Sequence, residues 1–131
     1  MAVTKADNQR LEFKKKLTKM HEISRLETKD LCPIKDIMAP TSDKWSLFCL
    51  YTIAYNEVLR FNQLKKYIPN ISSRMLSITL KKLEDTGMIK RKVYAEVPPK
   101  VEYRLTKFGD EYAQRLIELN LWVYEKTKRK Q

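Results

Sequence analysis

The stretch from Leu76 to Thr106 constrains this chain more than any other. Leu76, Leu80 and Leu83 recur at helical spacing, which puts them on one side of a 3.6-residue wheel and marks an amphipathic helix. Gly87 follows, and a glycine just past a periodic run supplies the left-handed residue that ends a helix. Met88 to Ala95 and Lys100 to Leu105 then read as two short strands around a Glu96-Val97-Pro98-Pro99 tip. Proline fixes its own backbone and cannot donate to a strand ladder, so the pair belongs in a stiff turn. A helix followed at once by a basic β-hairpin is predicted.

The preceding residues complete the unit. Phe61, Leu64 and Ile68 line one side of a short helix from about Phe61 to Tyr67, which Pro69 closes. Asn70-Ile71-Ser72 makes a brief turn, and Ser72 is suited to cap the next helix, Ser73 to about Thr86. Two helices joined so tightly form a helix-turn-helix pair, and the hairpin makes it winged. Asp43 can cap a helix from Lys44 to about Tyr55 that is apolar nearly all round and belongs in the core. Pro33 fits the first turn of a short helix, Ile34 to Met38, ending before Pro40. In residues 1–31, Leu11, Phe13, Leu17, Met20, Ile23 and Leu26 recur at loosely helical spacing, as one or two helical pieces that need an apolar partner. Thr106 caps a long helix to about Lys128. The expected class is mainly α with a small β-hairpin wing (α+β): a winged helix-turn-helix with extra N- and C-terminal dimerisation helices. Its expected divisions are an arm at the dimer interface (1–31), a DNA-binding core (32–107) and a C-terminal dimerisation helix (108–131).

Charge favours a polyanionic partner. Lys and Arg number 27 against 16 Asp and Glu, for a net charge of +11, which suits nucleic acid first and an anionic membrane surface second. Residues 71–107 alone hold nine Lys/Arg and four Asp/Glu, so nearly half the surplus sits on the helix and hairpin. The longest mainly apolar run, Trp45 to Tyr55, falls short of the ~20 residues a membrane span needs. With no apolar h-region at the N-terminus, a cytoplasmic protein without a membrane partner is expected.

On the helix wheel Arg74, Ile78, Lys81 and Asp85 lie opposite the leucines, with Ser77 and Lys82 on the flanks. A recognition helix presents its N-terminal half to the major groove. Arg74 can offer a bidentate fork to guanine, Ser77 a hydroxyl and Ile78 an apolar contact to a thymine methyl. Ser72 and Ser73, at the positive helix end, suit a backbone phosphate. Lys81 and Lys82 complete the DNA-binding set on this helix. In the hairpin Lys90 and Lys92 share one face and Arg91 takes the other. With Lys100 these wing residues suit phosphate or minor-groove contact.

The pieces Cys32-Pro33-Ile34, Lys44-Trp45, Arg60-Phe61-Asn62-Gln63-Leu64, Ile71-Ser72-Ser73-Arg74-Met75-Leu76, Gly87-Met88-Ile89-Lys90-Arg91, Val97-Pro98-Pro99-Lys100-Val101-Glu102-Tyr103 and Leu105-Thr106-Lys107-Phe108-Gly109 resemble the HxlR family of bacterial winged-helix regulators, over roughly residues 32–125. The resemblance implies a homodimer on a palindromic double-stranded DNA operator, often near genes for stress, redox or small-molecule metabolism, and leaves room for a small-molecule or redox effector. It also places Cys32 where some members carry a redox-sensing cysteine. A helix N-terminus with Lys29 and Lys35 nearby would favour its thiolate. The chain departs from the family in having Ser42-Asp43 where Gly-Gly is common, in lacking a glycine near Asn56, and in a longer arm.

The C-terminal helix carries Leu116, Leu119, Trp122 and Val123, which suit a dimer interface. Cys49, in the most apolar helix, reads as a core filler. His21 is the only histidine; no metal-ligand spacing, nucleotide loop or nucleophile–base pair stands out, so neither an enzyme, a metal nor a cofactor is expected. Trp45, Tyr51, Tyr55, Trp122 and Tyr124 could line a ligand pocket, though aromatics on helices more often pack. The competing function is a winged-helix protein-interaction module, or a redox- or ligand-responsive regulator whose DNA binding is secondary.

Overall fold

The computed structural model describes residues 2–27 and 42–128, without the side chains of 24–27. Cys32 and the helix expected at Ile34–Met38 lie outside the described residues. Two compact units divide the chain, residues 1–39 and 40–131.

Among the described residues of the first unit there is one helix, α1 (Lys5–Glu27), where one or two pieces were expected. A reciprocal cap opens it. The Asp7 backbone N–H donates to Thr4 Oγ1 (3.1 Å), and the Thr4 hydroxyl and backbone N–H donate to the Asp7 carboxylate (2.6 and 3.1 Å), satisfying donors that a helix start leaves free. The hydroxyl bond first, then the backbone one, holds the Asp7 carboxyl below its ordinary range. Leu11, Phe13 and Leu17 are all about half exposed.

The second unit runs α2 (Lys44–Asn56), β1 (Val58–Arg60), α3 (Phe61–Tyr67), α4 (Ser73–Asp85), β2 (Ile89–Tyr94), β3 (Lys100–Leu105) and α5 (Lys107–Lys128). Asp43 caps α2, accepting from the Ser46 N–H at 2.9 Å and the Ser46 hydroxyl at 2.7 Å. The core is built where the apolar periods converge. Cys49, Leu50 and Ile53 of α2 meet Leu64 and Ile68, then Leu76, Leu80 and Leu83 of α4, Ile89 and Tyr103 of the sheet, and Ala113 of α5. Thr79 is also buried there, its hydroxyl returned to the Met75 carbonyl at 2.7 Å, so it costs no unpaired polar group.

The sheet is antiparallel, in the order β1-β3-β2. The expected hairpin is present, and β1 adds a strand that sequence periodicity did not reveal: three residues, with only Leu59 buried, are too few to show alternation. Thr106 joins the end of α4 to α5. Its hydroxyl lies 2.6 Å from the Gly87 carbonyl oxygen and accepts from the Gly109 N–H at 3.0 Å. Gly87 has φ +78°, the left-handed conformation expected of it.

Candidate nucleic-acid interface

The Ser72 hydroxyl accepts from the Met75 N–H at 3.0 Å and fixes the start of α4. The next hydroxyl, Ser73, accepts from Lys65 Nζ at 2.6 Å. Lys65 comes from α3, so the first helix of the pair delivers an ammonium to the positive end of the second. Two like fields there favour a phosphate. Sequence reading missed Lys65 because its relation to Ser73 depends on how the two helices turn.

Arg74, Ser77 and Ile78 all face outward from α4. Ile78 is 52% exposed, a position that core packing does not explain. Arg74 has no ion pair or hydrogen bond among the described residues. The two lysines further along are placed differently. Lys81 is exposed but lies 3.0 Å from Asp85 and 3.7 Å from Glu84; the Asp85 hydrogen bond, then the Asp85 and Glu84 charges, hold its ammonium above its ordinary pKa. Lys82 is half-buried, and its Nζ lies 2.6 Å from Asp43 Oδ2. Of the residues assigned to this helix, Ser72 and Ser73 are engaged by Met75 and Lys65. Arg74, Ser77 and Ile78 are uncommitted among the described residues, and the two lysines have carboxylate partners within the chain.

The wing separates its cations as strand alternation requires. Arg91 pairs in register with buried Tyr103 and turns towards α4. With Ser77, Lys81, Glu84, Phe61, Leu80 and Tyr103 it lines a cleft of about 350 Å³ between recognition helix and hairpin. Lys90 and Lys92 face the other side, without an ion pair among the described residues; Lys92 Nζ lies 4.9 Å from the centre of the Tyr94 ring. Lys100 is less exposed, 3.1 Å from Glu102 and 4.9 Å from the same ring.

The four residues grouped as a dimer face divide. Leu116 packs partly against the chain's own core, whereas Leu119, Trp122 and Val123 are exposed. Tyr51 and Tyr55 do line an open apolar cleft of about 830 Å³, with Tyr67, Ile117 and Leu121; Trp45, Trp122 and Tyr124 do not. The Asn120 amide donates to the Tyr51 hydroxyl across it. Cys49 is fully buried, and burial first, then the charge of Asp43, pushes its thiol up to about 12. Among the described residues no acidic, His or Cys cluster could hold a metal, and no described helix is long and apolar enough to cross a membrane.

A helix-turn-helix pair, a small three-stranded sheet and a basic wing beside an exposed recognition helix define a winged helix-turn-helix protein, a class of DNA-binding transcriptional regulators. The chain belongs to the HxlR-like helix-turn-helix family, which it matches over residues 41–131. It is 38% identical over 91 residues to the HTH-type transcriptional regulator YdeP of Bacillus subtilis strain 168, covering 70% of each chain. Among solved structures it is similar to a MarR-family transcriptional regulator from Porphyromonas gingivalis W83, with 38% identity and TM-score 0.63 over 73% of this chain and 93% of the other. It is likewise similar to the redox regulator HypR in its oxidized form, with 35% identity and TM-score 0.63 over 70% and 93%.

Proposed function

We propose that the protein acts in the cytoplasm as a homodimer on a palindromic DNA operator. In this reading α4 enters the major groove, and Arg74, Ser77 and Ile78 read bases. Ser72, Ser73 and Lys65 hold a phosphate at its start, and Lys81 and Lys82 contribute charge further along. Lys90, Arg91, Lys92 and Lys100 of the wing bind the flanking backbone. The observation that carries this reading is the outer face of α4, where Arg74, Ser77 and Ile78 are exposed and uncommitted among the described residues, set beside a basic hairpin. A merely solvated helix would not need an apolar Ile78 on that face.

Residues 1–31 act as the arm, 32–107 as the DNA-binding core and 108–131 as the dimer helix. Exposed Leu119, Trp122 and Val123 support the last assignment, because a small body leaves such a stripe uncovered unless a second copy meets it. The test is affinity for a duplex selected from a random pool, compared with scrambled and single-stranded DNA, with sedimentation in parallel. A dimer with six to ten phosphate contacts loses roughly 10³–10⁵ in affinity between 50 and 200 mM salt. Equal affinity for single strands, or a monomer at micromolar concentration, would overturn the proposal.

A second reading adds redox control through Cys32, supported by the likeness to the redox regulator HypR. Burial of Cys49 leaves Cys32 as the thiol to test. Operator affinity before and after mild oxidant should change in wild type and not in Cys32→Ser. No change in either, with Cys32 shown to have reacted, would remove it.

A further inference from the structure

Strand register gathers five cations on the outer face of the sheet around a single carboxylate. Glu102 of β3 is paired with Arg60 of β1 on one side and Lys92 of β2 on the other; Arg104 is paired with Lys90, and Lys100 with Tyr94. Directly opposed residues share a face. Leu59, Ile89 and Tyr103 are buried on the opposite face, so Arg60, Lys90, Lys92, Lys100 and Arg104 all point away from the core.

Glu102 is no ordinary surface acid. Its side chain is only 12% exposed, and three donors converge on it: Lys100 Nζ at 3.1 Å, the Tyr94 hydroxyl at 3.2 Å and Arg104 Nη2 at 3.3 Å. An ammonium, a guanidinium and a phenol are also the donors that proteins aim at phosphate oxygens. Arg104 is held loosely, by one long contact, and its Nε is buried without a partner among the described residues. The Lys100 hydrogen bond outweighs burial and, with those of Tyr94 and Arg104, keeps the Glu102 carboxyl below its ordinary range. The acid therefore stays charged at neutral pH.

We infer that Glu102 is an internal counter-ion that stands, in the free protein, where a DNA phosphate would otherwise sit on the wing, and so sets how many wing cations are available to DNA. The inference rests on the DNA-binding reading. Lys90 and Lys92 can take a phosphate directly. Lys100 and Arg104 keep N–H donors free beside their contacts with Glu102, but its charge already neutralises part of theirs, and that offsets much of what they would contribute. The result is a weaker sequence-independent attraction, since phosphate contacts act on every duplex alike, while the base contacts of α4 are untouched. Glu102 is in this sense a positioning residue for the wing.

The salt dependence of duplex binding tests this, because its slope counts the cations that displace counter-ions. Glu102→Gln keeps the shape and an acceptor for Tyr94 but removes the charge. It should steepen the slope of log K against log salt by about 0.9 for each freed cation, and tighten binding to operator and scrambled duplex alike by roughly several-fold at 100 mM salt. Glu102→Asp, which keeps the charge, should stay near the wild-type slope. Adding Arg104→Gln to Glu102→Gln should bring the slope back towards wild type. A Glu102→Gln slope equal to wild type in a protein that still melts cooperatively would overturn the inference. So would a Glu102→Asp slope as steep as that of Glu102→Gln, because shape rather than charge would then control binding. If the wild type binds no duplex at low salt, the regulator reading itself fails, and the wild-type measurement alone reveals it.

Discussion

Lys82 Nζ lies 2.6 Å from Asp43 Oδ2, across 39 residues of sequence. The same carboxylate caps α2 through Ser46, so one acid ties the start of the central helix to the last turn of the recognition helix. Burial pushes the Asp43 carboxyl up. The hydrogen bonds from Lys82 and Ser46 and the Lys82 charge more than reverse that, to a pKa of about 2 against an ordinary 3.8. A carboxyl with a depressed folded-state pKa stabilises the fold above its unfolded pKa, and that contribution is lost as pH falls through the folded value.

Asp43→Asn isolates this charge, because asparagine caps a helix about as well as aspartate. The variant should be less stable than wild type by about 1 kcal/mol at neutral pH, the full shift being discounted for solvent screening at a half-exposed pair. The difference should hold above about pH 5 and close as pH approaches 2. Urea midpoints across that range check it; a gap that persists at the acid end would mean that the charge is not the cause.

Gly109 and Gly87 separate two reasons for glycine. A Cβ at Gly109 would stand 1.9 Å from the Met88 carbonyl oxygen, a backbone atom that cannot step aside. Gly109→Ala should therefore cost about 3 kcal/mol or more, at or beyond the upper end of overpacking penalties. A Cβ at Gly87 would meet nothing within 4 Å, but φ is +78°, so Gly87→Ala should cost about 1–2 kcal/mol. Denaturation that ranks the two the other way would overturn this account of α5 packing.

Glu57 ends α2 with φ 67° and ψ −54°, a conformation that side chains resist. Glu57→Gly should relieve that strain and raise stability by about 0.5–1 kcal/mol, less than the full left-handed penalty because glycine also gains freedom in the unfolded chain. A lower melting temperature in the variant would show that the turn is not strained.

Arg74 and Lys92 should differ in kind. Arg74→Ala should cost about 1–3 kcal/mol on the selected operator and relax base preference in each half-site; Lys92→Ala should weaken all duplexes alike and flatten the salt slope by about 1. A selected sequence unchanged by Arg74→Ala, with binding retained, would remove Arg74 from base reading.

Cys49 should resist thiol reagents in the native protein, its pKa raised to about 12 by burial first and by Asp43 second. Peptide mapping after brief alkylation should find it unmodified until denaturant is added. Modification at native rates would contradict its place in the core.

The sequence by itself determined what local spacing can express. Leu76, Leu80 and Leu83 placed the buried side of α4, Ser72 and Asp43 marked two helix starts, Gly87 marked an end, and the proline pair marked the hairpin tip. Each is a short-range effect of backbone geometry or capping, so few residues suffice to read it. Only tertiary structure decided the pairings. Strand β1 exists because β3 offers it an edge, and its three residues carry no period of their own. Lys82 reads as one more free cation until Asp43 arrives from another helix. Lys65 gains meaning only beside Ser73, and Glu102 only once two strands set Arg60 and Lys92 on either side of it. A charge takes its role from what lies within a few ångströms, and for these residues that neighbour is distant in the chain.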